Sequence, residues 1–196
     1  GKGLYRNKTV PAINVRGMTY DVARAVFRAA IKNKVGAFIF EIARSEMGYT
    51  LQRPDEYAVG VLAAAVREGF KGPVFIMGDH FQVSRSKFLA EPQKELAAIE
   101  ALIKEAVAAG FLNIDIDAST VVDLSQPTLE EQMAVNSQIT ADMTRLIRSI
   151  EPQGVTISVG GEIGEIGKAN STVADLRAFM KGYLSKLDGK VKGISK

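Results

Sequence analysis

The stretch PVFIMGDHFQVSRSKFLAEPQKELAAIEALIKEAVAAGFLNIDIDAST, residues 73–120, decides the fold. It opens on an apolar run, PVFIMG (73–78), of strand length. A helix follows over 92–109, where Leu96, Ile99, Ile103 and Val107 recur at spacings of 3, 4 and 4 and Gly110 stops it. A second apolar run, FLNIDI (111–116), closes the unit. Strand, helix and strand in this order join two parallel strands through a crossover helix.

The same alternation continues in both directions. Upstream, VPAINV (10–15) reads as a strand and Thr19–Lys32 as a helix, with Val22, Val26 and Ala29/Ala30 on one face. GAFIFEI (36–42) is the next strand, and Pro54–Glu68 the next helix, with Pro54 in its first turn and Gly69 past its end. Downstream, a loop runs to Pro127. Thr128 and Glu131 then form a capping box for a helix reaching about Ile150, ended by Pro152 and Gly154. VTISV (155–159) is a fifth strand, followed by a glycine-rich loop over 160–170. Thr172 and Asp175 cap a last helix, 173–187, with an expected buried face of Val173, Leu176, Phe179/Met180 and Tyr183/Leu184. Residues 191–195 read as the start of one more strand.

The fold class is therefore α/β with a parallel sheet whose strands are apolar on both faces. Two closures fit: a doubly wound open sheet, or a piece of a (β/α)8 barrel, since a whole barrel needs about 250 residues. The 196 residues supply about five to six βα units, with no linker or low-complexity segment between them.

Composition removes several function classes. At 46% hydrophobic and 24% charged, the chain is neither a disordered tail nor a collagen. It has no Cys, hence no disulfide, thiolate metal site or Cys nucleophile. A chain without Cys fits a reducing compartment, and we expect a cytoplasmic protein. Its 25 basic and 22 acidic residues give a net charge of +3 without a basic footprint. Lys186, Lys190, Lys192 and Lys196 read as a solvated end, so no nucleic-acid partner is expected. No apolar run approaches the ~18 residues of a membrane span, and no membrane partner is expected.

Parallel α/β folds place their chemistry at the carboxyl ends of the strands. Here those ends carry Asn14, then Glu41 with Arg44, Ser45 and Glu46 just beyond, then Asp79 and His80. The fourth strand carries Asp115 and Asp117 with Ser119 and Thr120 beyond, and the fifth Glu162 with Glu165 beyond. Carboxylates converging on one edge repel one another, and a divalent cation would resolve the repulsion. His80, the only His, is either a metal ligand or a loop cap. Asp79 beside it is a proton donor and acceptor candidate. Asp117 and Ser119 read equally as a metal ligand with a substrate-facing hydroxyl, or as a polar turn leaving a strand. The loop VGGEIGEIG (159–167) offers Glu162 as ligand or acid–base group, or is a flexible turn. No G-x-G-x-x-G follows the first strand and no G-x-S-x-G occurs, which excludes the common dinucleotide and serine-hydrolase signatures.

Four short motifs in order, PAIN (11–14), DH (79–80), IDxS (116–119) and GEIG (161–164), resemble the class II fructose-bisphosphate and tagatose-bisphosphate aldolases over nearly the whole chain. The resemblance implies a (β/α)8 barrel and a metal-dependent, usually zinc-dependent, lyase. Such a lyase reversibly cleaves a ketose bisphosphate into dihydroxyacetone phosphate and an aldehyde. It implies His80, Asp117 and Glu162 around the metal, Asp79 in the acid–base role and Asn14 at the substrate; from their own places at the strand ends, Glu162 is also expected in an acid–base role and Ser119 at the substrate. It also implies a phosphorylated sugar substrate and a homo-oligomer. The family draws two further His ligands from later strands, and none is present here. We therefore expect residues 1–196 to be a partial barrel domain, incomplete at its C-terminal side. Two alternatives stand beside it. One is a non-catalytic aldolase-like binding or scaffold protein; the other, a Schiff-base aldolase, needs a Lys at a strand end, and none of the five complete strands ends in one.

Overall fold

The computed structural model describes residues 9–163, 170–187, 189 and 191–195. Part of the glycine-rich loop, including Gly164, Glu165, Gly167 and Lys168, lies outside them, as do Lys190 and Lys196. Five strands form one sheet: β1 (Ala12–Asn14), β2 (Ile39–Ala43), β3 (Phe75–Gln82), β4 (Asn113–Asp117) and β5 (Ser158–Gly161). All pairs are parallel and the spatial order is the sequence order, β1 to β5.

The crossover helices are α1 (Thr19–Lys32), α3 (Pro54–Glu68), α5 (Pro92–Ala108) and α7 (Ala134–Ile150), and α8 (Val173–Lys186) follows β5. Between strands and crossover helices sit α2 (Arg44–Thr50), α4 (Arg85–Ala90), a 3-10 turn at Ser119–Val121, and α6 (Leu129–Gln132). Each long helix packs on the next: α1 on α3, α3 on α5, α5 on α7, α7 on α8. A doubly wound sheet reverses its strand order and carries helices on both faces. Here the order never reverses and the helices form one continuous layer, which is an arc of a (β/α) barrel.

The core lies between sheet and helices. Phe40, Ile42, Ile114, Ile116 and Val159 from the strands meet Phe27, Val61, Ile99, Ile103 and Ile147, all fully buried. Each such side chain contributes about 1.5–3 kcal/mol by leaving water. The opposite, inner sheet face carries the polar residues.

Several expectations need correction. On α1 the buried residues are Ala23, Phe27 and Ala30, whereas Val22 is exposed. The helix is rotated so that its largest apolar side chain, Phe27, joins Phe38, Phe40 and Phe70, with ring centroids 4.9–5.8 Å from it. On α8 the buried face is Ala178, Phe179 and Tyr183, with Asp175. Val173, Leu176 and Leu184 face outward. The helix expected from Thr128 divides at Met133 into α6 and α7, and the Thr128–Glu131 capping box caps α6. Both α2 and α4 fall in segments with no apolar period, which is why they went unread. Residues 191–195 run beside β5 in irregular conformation, with one backbone bond from Ser195 N–H to Val159 O at 2.8 Å. Gly161 permits that approach: a Cβ there would lie 2.7 Å from Ile194 Cδ1. No helix among the described residues is long and apolar enough to cross a membrane.

Candidate metal centre

The site begins with an irregularity in β3. Gly78 pairs with Ile114 and Phe81 with Ile116, so three steps along β3 match two along β4. The extra residue makes a bulge, and Asp79 and His80 both fall opposite Asp115. His80 takes it up by adopting a left-handed backbone, φ 42°. Gly78 makes room: a Cβ there would sit 2.4 Å from the buried Phe81 ring. An unbulged strand would send Asp79 and His80 to opposite faces. The bulge instead leaves both at the inner hollow, with His80 Nδ1 3.8 Å from Asp79 Oδ2.

Across the hollow, His80 Nε2 lies 3.3 Å from Glu162 Oε1, at the end of β5. His80, Asp117 and Glu162 each offer a ligand atom, and these atoms lie within 4.8 Å of one another. Asp117 is fully enclosed and held from two sides. Gln82 Nε2 donates to its Oδ2 at 2.5 Å, and Ser119 donates to its Oδ1 through N–H (3.0 Å) and Oγ (2.6 Å). The Ser119 hydroxyl proton is thus directed at Asp117. Glu162 is anchored through its backbone: the buried Asn136 on α7 donates Nδ2 to Glu162 O at 2.7 Å.

The electrostatics follow from the crowding. Burial, then the charges of Asp117 and Asp115, push the Glu162 carboxyl up to about 7, against the opposing pull of His80. At His80, burial disfavours the imidazolium. Asp79, Glu162, Asp117 and Asp115 together outweigh it and hold the pKa above its ordinary value. The residues fit a divalent cation: three donors of the imidazole and carboxylate type that suit zinc-like ions converge, and a cation would offset the repulsion that raises Glu162.

Asn14 and Glu41 are not part of this cluster. They pair with each other and lie level with Met77, below the bulge. β1 is two strands away from β3, about 10 Å at the usual spacing. Asn14 is instead held by Glu46 and Arg16. Its Nδ2 donates to Glu46 Oε2 at 2.8 Å, and Arg16 Nε donates to its Oδ1 at 3.1 Å. Glu46 is buried, and it also accepts from Ala43 N–H at 2.9 Å.

Sequence reasoning missed Gln82 and Asn136, and it named Glu46 only as a residue beyond the second strand, without its hold on Asn14. A signal existed for Asn136: with Thr140 and Thr144 it makes a polar row at spacing 4 among the apolar residues Ile139, Met143 and Ile147. Nothing in the sequence marks Gln82, because its inward aim depends on the bulge.

No curated protein matches the sequence. Among solved structures, the fold is similar to that of a probable tagatose 6 phosphate kinase from Sinorhizobium meliloti 1021. The TM-score is 0.64 and the identity 20%, over 91% of this chain and 45% of that one. The chain therefore spans less than half the length of that protein, and the likeness is one of fold. The family model described as Fructose-bisphosphate aldolase class-II matches residues 5–186, nearly the whole sequence. The chain belongs to the class II fructose-bisphosphate aldolase family.

Proposed function

We propose that this chain carries the first five to six βα units, and part of the active site, of a metal-dependent class II aldolase. The observation that carries the reading is the convergence of His80, Asp117 and Glu162 within 4.8 Å. The reaction is reversible aldol cleavage of a ketose bisphosphate to dihydroxyacetone phosphate and an aldehyde. Zinc, when bound by His80, Asp117 and Glu162, supplies Lewis acidity that polarises the substrate ketone and offsets negative charge on its oxygens.

The chain's own residues do the rest. Asp79, one residue from His80 and partly open to the hollow, takes the proton from the hydroxyl at the cleaved bond and returns it in the reverse direction. Glu162, whose Oε1 stands 3.3 Å from His80 Nε2 on the far side of the hollow, serves as the second acid–base group. Asn14, its amide fixed by Glu46 and Arg16, presents its remaining N–H to a substrate hydroxyl. Ser119 orients Asp117, and its oxygen remains an acceptor toward substrate. The phosphorylated substrate and the absence of Cys fit a cytoplasmic enzyme, and the family resemblance fits a homo-oligomer.

A second reading has one observation in its favour. His80 is the only His in the sequence, where the family resemblance calls for three as ligands. In that reading the chain is an aldolase-like binding or scaffold protein without metal chemistry. Metal analysis separates the two. Zinc retained through dialysis by the wild type and lost by His80→Ala supports the lyase. Equal, negligible zinc in both supports the scaffold. Under the lyase reading, Asp79→Ala keeps the metal and slows cleavage in the protein that carries all the ligands.

A further inference from the structure

Outside the metal cluster the molecule has a second concave feature, a cavity of about 1040 Å³ bounded by α2, α4, α5 and the segment before α3. Its lining contains four cationic side chains, Arg44, Arg53, Arg85 and Lys87, and no carboxylate. Two of the four are neutralised. Arg44 pairs with Glu95 at 2.5 Å, and Arg53 pairs with Glu105 through Nε at 2.9 Å.

The other two make no salt bridge among the described residues. Arg85 Nη1 donates to the carbonyls of Thr120 (2.9 Å) and Val122 (3.1 Å), which fixes the guanidinium. Asp123 attracts Arg85 from a distance, and its carboxyl oxygens are bonded to Ser125 and Gln126 rather than to the guanidinium. Lys87 makes no ion pair among the described residues; its neighbour Glu95 is taken up by Arg44 and by Ser84 N–H. Ser84 and Ser86, with hydroxyls 3.3 Å apart, stand on the same rim. The wall behind them is apolar, made by Leu89 and by Ala98, Ala101 and Leu102 of α5.

A fixed guanidinium, a free ammonium and two hydroxyls beside an apolar wall suit one phosphoryl group attached to an organic body. We propose that this cavity is a binding site for a small organic phosphate. Arg85, Lys87 and Ser86 take the phosphoryl group, and Leu89, Ala98 and Leu102 take the body. The volume is that of a small-molecule site. The cations are gathered inside one hollow rather than spread along a face, which disfavours an extended polyanion. The site is separate from the metal cluster: Gln82 stands between them, lining the cavity while donating to Asp117. The inference does not depend on the aldolase reading.

The test is calorimetric titration of the wild-type chain in EDTA with three probes: inorganic phosphate, a hexose bisphosphate and adenosine monophosphate. Running without metal keeps failure of the zinc reading distinct from failure of this one. At least one organic probe binds, and more tightly than inorganic phosphate. The hexose or the nucleotide arm shows which body the wall accepts. Lys87→Glu, which breaks no bond in the fold, weakens binding at least about tenfold, as does Ser86→Asp, a change on the order of 1.4 kcal/mol. Lys32→Glu, a charge reversal at an exposed position of α1, leaves binding unchanged. The proposal is overturned if neither organic probe binds, if Lys87→Glu and Ser86→Asp bind as the wild type does, or if Lys32→Glu weakens binding as much as Lys87→Glu does.

Discussion

If the β3 bulge holds His80 in a left-handed backbone, replacing His80 separates backbone strain from side-chain chemistry. The two variants to compare are His80→Ala and His80→Gly, since both remove the imidazole and its contacts with Asp79 and Glu162. At an ordinary position Ala is the more stable of the two by about 0.4–1 kcal/mol, because Gly frees the unfolded chain. At φ 42° the Cβ adds a penalty of about 1–2 kcal/mol that Gly escapes. The difference favours Gly by roughly 0.5–1 kcal/mol, a reversal of the usual order. Urea unfolding resolves it: with a slope of about 2–3 kcal/mol per molar, the Gly variant's midpoint lies about 0.2–0.4 M higher. Neither variant should retain metal. An Ala variant more stable than the Gly variant by the ordinary margin would refute the bulge as the device that aims His80.

Two further outcomes follow from the charged groups. Glu95 is almost fully buried and receives Arg44 and Ser84 N–H. Glu95→Ala should therefore cost about 3 kcal/mol, roughly 6–12 °C in Tm, while the apolar pair Arg44→Met with Glu95→Leu should cost far less. Equal losses in the single and double variants would show that the pair is not buried as described. For pH, Glu162 in the fold sits at about 7 against an ordinary 4.5, and His80 sits above 6.5. Both bind more protons folded than unfolded, so the metal-free protein loses stability as pH rises from about 5 to about 8. Glu162→Gln should flatten that slope in thermal melts. Because the metal needs both groups deprotonated, zinc affinity runs the opposite way and rises over the same range. A melting curve that climbs with pH in EDTA would contradict the electrostatics of the cluster.

Much of the architecture was legible because helix and strand periods differ. The spacing of Leu96, Ile99, Ile103 and Val107, and the caps at Thr128 and Thr172, are local signals that tertiary packing did not override. The faces of α1 and α8 were read in part: Ala30, Phe179 and Tyr183 are buried as expected, whereas Val22, Val173 and Leu176 are exposed, because several registers bury similar apolar area. Which one wins depends on partners from distant elements, such as Phe70 against Phe27. At the site, the residue types at the strand ends were visible, and His80, Asp117 and Glu162 do converge. The separation of Asn14 and Glu41 from them was not visible, because level along the strands is set by sheet register. The bulge was hidden too: GDHFQ reads as a strand end and a loop, yet β3 continues to Gln82. The supporting bonds from Gln82, Asn136 and Glu46 come from side chains whose aim only the folded backbone fixes.

If His80, Asp117 and Glu162 together hold a divalent ion, anomalous diffraction at the zinc absorption edge will reveal it in crystals of the chain soaked with zinc. One strong peak is expected in the hollow, about 2.0–2.2 Å from His80 Nε2 and from a carboxylate oxygen of both Asp117 and Glu162, and no peak in His80→Ala crystals. A hollow without a peak, or a peak that persists when His80 is replaced, would contradict it.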